Sequence, residues 1–172
     1  MLNVSIVRLQ PEEWPKYKNL RLEALATDPQ AFGTSYATCL ELPDDEWERR
    51  LVIASDGVSS MLFFAKADDG TLVGMVGGAL RDDPPRGVVN AMFVSPEARG
   101  QGVSAQLIEA LVQAFGKDGT PQTIVLTVGR DQLAAVGLYE KFGFQKTREL
   151  VEEMGDGNHY DAWVMGKILN PA

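Results

Sequence analysis

Residues 88–111 read V-V-N-A-M-F-V-S-P-E-A-R-G-Q-G-V-S-A-Q-L-I-E-A-L, and the change of period inside them decides the fold. Residues 88–94 are an apolar run of strand length, and Ser95-Pro96 turns the chain. Beyond Arg99-Gly100-Gln101-Gly102, apolar residues return at Val103, Leu107, Ala110, Leu111 and Ala114, the spacing of a helix. A glycine-rich loop therefore stands at a helix N-terminus. The first N–H groups of a helix have no internal partner, and its aligned peptide dipoles place partial positive charge there, which favours a phosphate. Gly100 and Gly102 can take positive φ and let the backbone approach an anion, while Arg99 can add a charged fork. The same residues would also serve an ordinary strand-to-helix turn, so the choice between the two rests on the rest of the chain.

Upstream, residues 3–9 alternate as a first strand. Pro11-Glu12-Glu13-Trp14 opens a helix reaching about Ala26, with Pro15 tolerable only near its start, and Asp28-Pro29 ends it. Residues 31–36 read as a loop. A second helix opens at Pro43-Asp44-Asp45-Glu46, whose carboxylates suit a helix N-terminus, and buries Trp47 and Leu51. Residues 61–67 and 71–80 are strands joined by the hairpin signal Asp68-Asp69-Gly70, and residues 81–87, holding Pro84-Pro85, are a loop. Downstream, residues 122–129 form a β-branched strand and residues 133–142 a short helix ended by Gly143. Residues 144–153 and 160–169 pair across Asp156-Gly157. The expected fold is mixed α/β (α+β), with a mostly antiparallel central sheet flanked by helices.

A chain of 172 residues with 45% hydrophobic and 23% charged side chains fits one globular domain over residues 1–172. No apolar run reaches the length of a membrane span and the N-terminus lacks the layout of a signal peptide, so a soluble, cytoplasmic protein is expected, without membrane contact. The lone Cys39 excludes a disulfide within the chain and a cysteine-rich metal site, and the lone His159 falls in a turn-like segment. No metal is expected. A formal net charge of −8 lacks the electrostatic footprint of nucleic-acid binding and suits a cationic partner.

Arg99-Gly100-Gln101-Gly102-Val103-Ser104, preceded by Phe93-Val94-Ser95-Pro96-Glu97, resembles the cofactor motif of the GNAT superfamily of N-acetyltransferases, Gln/Arg-x-x-Gly-x-Gly/Ala. The segment from Gln132 through Ala135, Leu138 and Tyr139 to Gly143-Phe144 resembles that family's Asn-x-x-Ala-x-x-Leu-Tyr-x-x-x-Gly-Phe helix. Two positions depart: Ser104 stands where Gly or Ala is usual, and Gln132 where Asn is usual. The resemblance implies acetyl-CoA as co-substrate and transfer of its acetyl group to a primary amine, of a small molecule or of a protein or peptide, by direct attack on the thioester. It implies that the backbone at Met92, Phe93 and Val94 pairs with the pantetheine arm. The amides of Arg99, Gly100, Gln101, Gly102, Val103 and Ser104 would hold the pyrophosphate. Gln132 would touch the cofactor, and Tyr139 would face the thioester sulfur as the catalytic residue. Helical spacing agrees, since Gln132, Ala135 and Tyr139 share one face. The resemblance also leaves room for a homodimer paired through edge strands.

The chemistry requires a neutral amine. At pH 7 this costs about 4.6 kcal/mol for a lysine-like amine and about 1.4 kcal/mol for an α-amine near pKa ~8. Backbone N–H groups near Phe93 would stabilise the oxyanion, and Tyr139 would donate a hydrogen bond to the leaving sulfur. No general base is assigned: Asn90 cannot accept a proton, and Glu41 and a water chain are the candidates. Two other classes compete. Gly100 to Ala105 also fits the G-x-G-x-x-G/A fingerprint of an NAD-binding oxidoreductase, although residues 95–99 separate these glycines from the strand. A non-catalytic acyl-CoA-binding sensor would share the fold.

Overall fold

The structure, a computed structural model, describes residues 2–57 and 59–169. Its strands are β1 (Val4–Val7), β2 (Ser60–Ala67), β3 (Leu72–Arg81), β4 (Arg86–Val94), β5 (Thr123–Gly129), β6 (Gln145–Glu153) and β7 (His159–Ile168). Its helices are α1 (Trp14–Thr27), α2 (Tyr36–Leu40), α3 (Asp44–Ala54), α4 (Val103–Asp118) and α5 (Leu133–Lys141). The strands form one seven-stranded sheet in the order β1-β2-β3-β4-β5-β7-β6. Every neighbouring pair is antiparallel except β4 and β5, which are parallel. This is the mixed, mostly antiparallel sheet expected from the sequence. No helix among the described residues is long and apolar enough to cross a membrane.

Three local expectations shift. β1 is shorter than residues 3–9, because its pairing with β2 ends at Val7 opposite Phe64. The loop expected over residues 31–36 is followed by α2, which that reading missed. The Ser35 hydroxyl caps α2 by accepting the Thr38 N–H at 3.1 Å, and the helix buries only Cys39, too little to print an apolar stripe. The β3–β4 ladder closes down to Arg81 opposite Arg86, so the loop expected over residues 81–87 shrinks to residues 82–85.

Helices cover both faces of the sheet. Tyr17, Leu20 and Leu25 of α1 and Trp47 and Leu51 of α3 pack against Phe64, Met75 and Phe93. Tyr17 meets Trp47 and Phe64 edge-on, at centroid distances of 5.3 and 5.7 Å. On the other face Leu107, Leu111 and Phe115 of α4 and Val136 and Tyr139 of α5 join Val76, Val89, Ile124 and Met165. α4 lies close on β3 because Gly78 has no side chain: a Cβ there would sit 2.6 Å from Leu111 Cδ1 and 2.9 Å from Phe115 Cζ.

The feature that makes room for a ligand is the parting of β4 from β5. Their ladder holds only Gly87 opposite Ile124 and Val88 opposite Val125. Past that point β4 bulges. Met75 pairs with Phe93 but Gly77 pairs with Asn90, so Ala91 and Met92 together oppose Val76, with Ala91 at φ 53°. The extra residue bends the strand and reverses which face its side chains take. Val89 accordingly packs in the α4 layer and Phe93 in the α1–α3 layer. Residues 89–94 are left with one edge unpaired, facing a wedge.

Replacing Gly78 by Val should push α4 off β3 and lower stability by about 1–3 kcal/mol, the usual range for overpacking. Urea denaturation checks this; a midpoint unchanged from the parent would mean that the layer yields freely.

Candidate active site

The wedge is a cleft of about 1550 Å³. Met92, Phe93 and Val94 line it from β4, Gly100, Gly102 and Ser104 from the start of α4, and Gln132, Ala135 and Tyr139 from α5. Phe32 and Gly33 line it from the loop after α1, and Glu152 and Met154 from the β6–β7 hairpin. A side cavity of about 40 Å³ shares Asp131, Gln132, Glu152 and Met154 with it. The two sequence motifs, some thirty residues apart, thus meet across one space.

At one end stands the α4 N-terminus. Gly100 and Gly102 sit at φ 73° and 80°, and a Cβ on either would meet nothing within 4 Å. Backbone conformation rather than crowding therefore calls for glycine at both. The first bond into the helix runs from Gln106 N–H to the Gly102 carbonyl, 3.2 Å, and Gly102 has no side chain to cap the turn. The N–H groups of Val103, Ser104 and Ala105 thus have no partner within the helix, and these three residues line the cleft.

Arg99 is spent differently from the free fork expected. Its Nε donates to the Val94 carbonyl at 2.9 Å, and its Nη2 pairs with Asp28 Oδ2 at 2.6 Å, tying the end of β4 to the loop after α1. Gln101 turns away altogether. Its Nε2 donates to the Glu97 carbonyl at 3.1 Å and its Oε1 accepts the Leu2 N–H at 2.7 Å, outside the cleft lining. The Val103 side chain belongs to the core, so this residue meets the cleft by its backbone.

At the other end Gln132 opens α5, accepting the Val136 N–H at 3.0 Å and donating its own N–H to Gly129 at 3.1 Å. Tyr139 lies two turns on, nearly buried, its ring edge-on to Phe144 at 5.8 Å. Its hydroxyl makes no hydrogen bond among the described residues. Burial pushes its pKa up to about 12, because a phenolate would lose the water that stabilises its charge. Tyr139 is thus a neutral donor without a partner.

The roof joins two segments far apart in sequence: the Gly155 N–H donates to the Phe32 carbonyl at 2.7 Å, and a Cβ on Gly155 would collide with the Thr34 backbone. Asp131 and Glu152 line the cleft beneath it, and neither has an ion-pair partner among the described residues. Sequence reasoning missed Glu152, Gly155 and Arg21. Glu152 sits in a charged strand that looks like plain solvated surface, whereas Arg21 carried a signal, a charge within the apolar stripe of α1. Asn90, excluded as a base, lines the cleft and is exposed, whereas the base candidate Glu41 closes α2 outside the lining. His159 is exposed beside Glu153 at 3.8 Å. The dinucleotide reading does not fit: a helical turn, Pro96–Ala98, separates the glycines from β4, and β4 runs antiparallel to β3.

Comparison with known proteins gives one family. Residues 28–144 match the family profile described as acetyltransferase (GNAT) family. N-acetyltransferase 8 of Rattus norvegicus is 37% identical over 91 residues, 51% of this chain and 40% of that protein. The chain spans about half the length of the curated relatives it matches. A GNAT-family acetyltransferase of Streptococcus pneumoniae superposes with a TM-score of 0.85 at 18% identity, covering 98% of this chain and 100% of that one. The yncA protein of Salmonella typhimurium, solved with its cofactor acetyl-CoA, superposes with a TM-score of 0.81 at 14% identity, covering 99% and 96%.

Ser104→Asp places a carboxylate among the unpaired amides, with opposite effects on the free and liganded protein. A negative charge in the first turn should stabilise the free protein by about 0.3–1 kcal/mol while cancelling stabilisation by coenzyme A. Melting curves with and without coenzyme A read both; a coenzyme A shift equal to the parent's would remove the phosphate from this end of the cleft.

Proposed function

This chain belongs to the acetyltransferase (GNAT) family, and we propose that it moves the acetyl group of acetyl-CoA to a primary amine by direct attack on the thioester. The observation that carries the reading is the unpaired edge of β4, which leads from the amides of Val103, Ser104 and Ala105 to the hydroxyl of Tyr139. An extended pantetheine arm takes the place of a strand along Met92, Phe93 and Val94, satisfying backbone groups that β5 abandons. The pyrophosphate rests on the helix amides and on the backbone of Gly100 and Gly102. Gln132 borders the arm from α5. The family relationship supports the choice of donor, as does the bound acetyl-CoA of the yncA protein.

In the reaction the amine nitrogen bonds to the thioester carbon, the C–S bond breaks, and one proton leaves the nitrogen as the thiolate gains one. Main-chain N–H groups beside Phe93 receive the negative charge that develops on the carbonyl oxygen. Tyr139 steadies the departing sulfur. With its pKa near 12, against about 8.5 for a thiol, complete proton donation to the thiolate would be uphill by about 5 kcal/mol. Its part is therefore a hydrogen bond that strengthens as charge reaches the sulfur. The proton released by nitrogen leaves through the open side of the cleft, where Asp131 and Glu152 also attract an incoming ammonium.

Acetyl-CoA should raise the melting temperature and NAD should not, and thiol should be released when an amine panel is added. Stabilisation by acetyl-CoA without release by any amine would favour the sensor. Tyr139→Phe should lower kcat about 10- to 100-fold, the worth of one hydrogen bond to a charged group, with the KM for acetyl-CoA nearly unchanged. An intact kcat would make Tyr139 a packing residue. The pH profile has a definite sign. Because the phenol stays protonated to about pH 11, activity should rise as the acceptor amine deprotonates and then level off, without a fall from Tyr139 near pH 10.

A further inference from the structure

α1 turns Tyr17, Leu20, Ala24 and Leu25 inward. Arg21, one turn beyond Tyr17, falls on the same stripe and reaches the cleft. Its guanidinium carbon lies 4.6 Å over the Phe32 ring. Nε and Nη1 are both shielded from water and have no hydrogen-bond partner. The ring face offsets part of the charge but accepts neither N–H. Asp28 pairs with Arg99 Nη2 through its Oδ2 at 2.6 Å and makes no ion pair with Arg21. Buried donors are rarely left unmade, so Nε and Nη1 of this half-buried guanidinium are donors in want of an acceptor.

The surroundings of the guanidinium indicate which acceptor. Phe32, on which the guanidinium stacks, belongs to the loop that is hydrogen-bonded to Gly155 over the acceptor side. Seven residues, about 10 Å along the helix axis, separate Arg21 from Asp28, whose carboxylate meets Arg99 in the loop that leads into α4. A planar guanidinium fixed on a ring is prepared for the matching plane of a carboxylate, which can bind bidentately. The unpaired carboxylates of Asp131 and Glu152 line the same cleft, so Arg21 and these acids face it as a pair of opposite charges, with Arg148 a further cation in the lining. A molecule carrying both an amine and a carboxylate complements that pair. We propose that Arg21 holds the carboxylate of the acceptor, so that the amine acetylated here belongs to an amino acid. This rests on acetyl transfer as proposed above.

The test compares the L-amino acids with their amides as acceptors of acetyl from acetyl-CoA, each pair at equal concentration of neutral amine. Within a pair only the charge differs. The acid of the best pair should exceed its amide in kcat/KM by about 10- to 100-fold. Arg21→Met should bring that ratio close to one while keeping the melting shift with acetyl-CoA, and Arg21→Lys should recover part of it. Amides that serve as well as acids, or activity confined to amines without a carboxylate, would overturn the assignment while leaving acetyl transfer standing. An undiminished preference in Arg21→Met would overturn it as well. Absence of thiol release with every amine would instead overturn acetyl transfer, and this assignment with it. Since the comparison of acids with amides needs only the parent protein, the result does not depend on the variants folding.

Discussion

The structure depends on a hydrogen-bond ladder that stops. β4 and β5 pair at two positions and then separate, leaving the N–H and C=O groups on the edge of residues 89–94 that faces away from β3 without a strand to meet. Backbone groups left unpaired inside a protein are costly, so such an edge is kept open only where water or a ligand completes it. The bulge at Ala91–Met92 produces the divergence and also sets what faces the gap. Without the extra residue, Phe93 would point into the α4 layer and Val94 out of it. With it, Phe93 joins the aromatic cluster of α1 and α3 and Val94 supports α4. The wedge is thus anchored from both faces of the sheet. α4 can press on β3 through the gap left by Gly78, and α5 hangs from β5 with Tyr139 against Phe144.

Regular structure was legible where one physical signal dominated. The period change within residues 88–111 located β4 and α4, and the turn signals at Gly70, Gly119, Gly143 and Gly157 mark real left-handed positions. α2 was not legible, because a helix of five residues with one buried side chain leaves no stripe. The bulge was not legible either. It comes from registering β4 on β3, a pairing between strands, and an alanine at φ 53° has no signature of its own. The site divides along the same line. Gly100 and Gly102 were readable as turn glycines because their positive φ calls for glycine, whereas Tyr139 was singled out by the resemblance, with helical spacing only placing it on the face of Gln132 and Ala135. Glu152 reaches the cleft only through the position of β6 at the sheet edge, outside β7, and Gly155 meets Phe32 only through the fold.

Arg99 and Gln101 show what the side chains of a glycine-rich loop can do for the loop itself. Both were expected to meet the cofactor through their amides, and Arg99 to offer its guanidinium as well; the side chains of both hold the loop together, Arg99 joining Val94 to Asp28 and Gln101 joining Glu97 to Leu2. These contacts fix the exit of β4 and the turn that precedes α4, and so fix where the amides of Val103, Ser104 and Ala105 point. An arginine turned toward a phosphate would add a charge. An arginine fastened between Val94 and Asp28 instead orders the donors that are already there.

That use matters in a protein of net charge −8, which must accept a polyanionic coenzyme if the proposed reading holds. The mean field repels such a ligand, but at physiological ionic strength it fades over about 8 Å, whereas the helix amides act at contact. Short range therefore decides binding, and the acidic surface works for the other substrate. An ammonium is drawn in, and where Asp28 neutralises Arg99, the unpaired Arg21 remains as a local exception in an acidic surround. The two substrates are then sorted by electrostatics of different reach. The donor is held by oriented backbone dipoles that no side-chain count reveals. In the proposed reading the acceptor is drawn by diffuse negative charge and, at its carboxylate end, by Arg21, whose Nε and Nη1 the fold leaves without a partner.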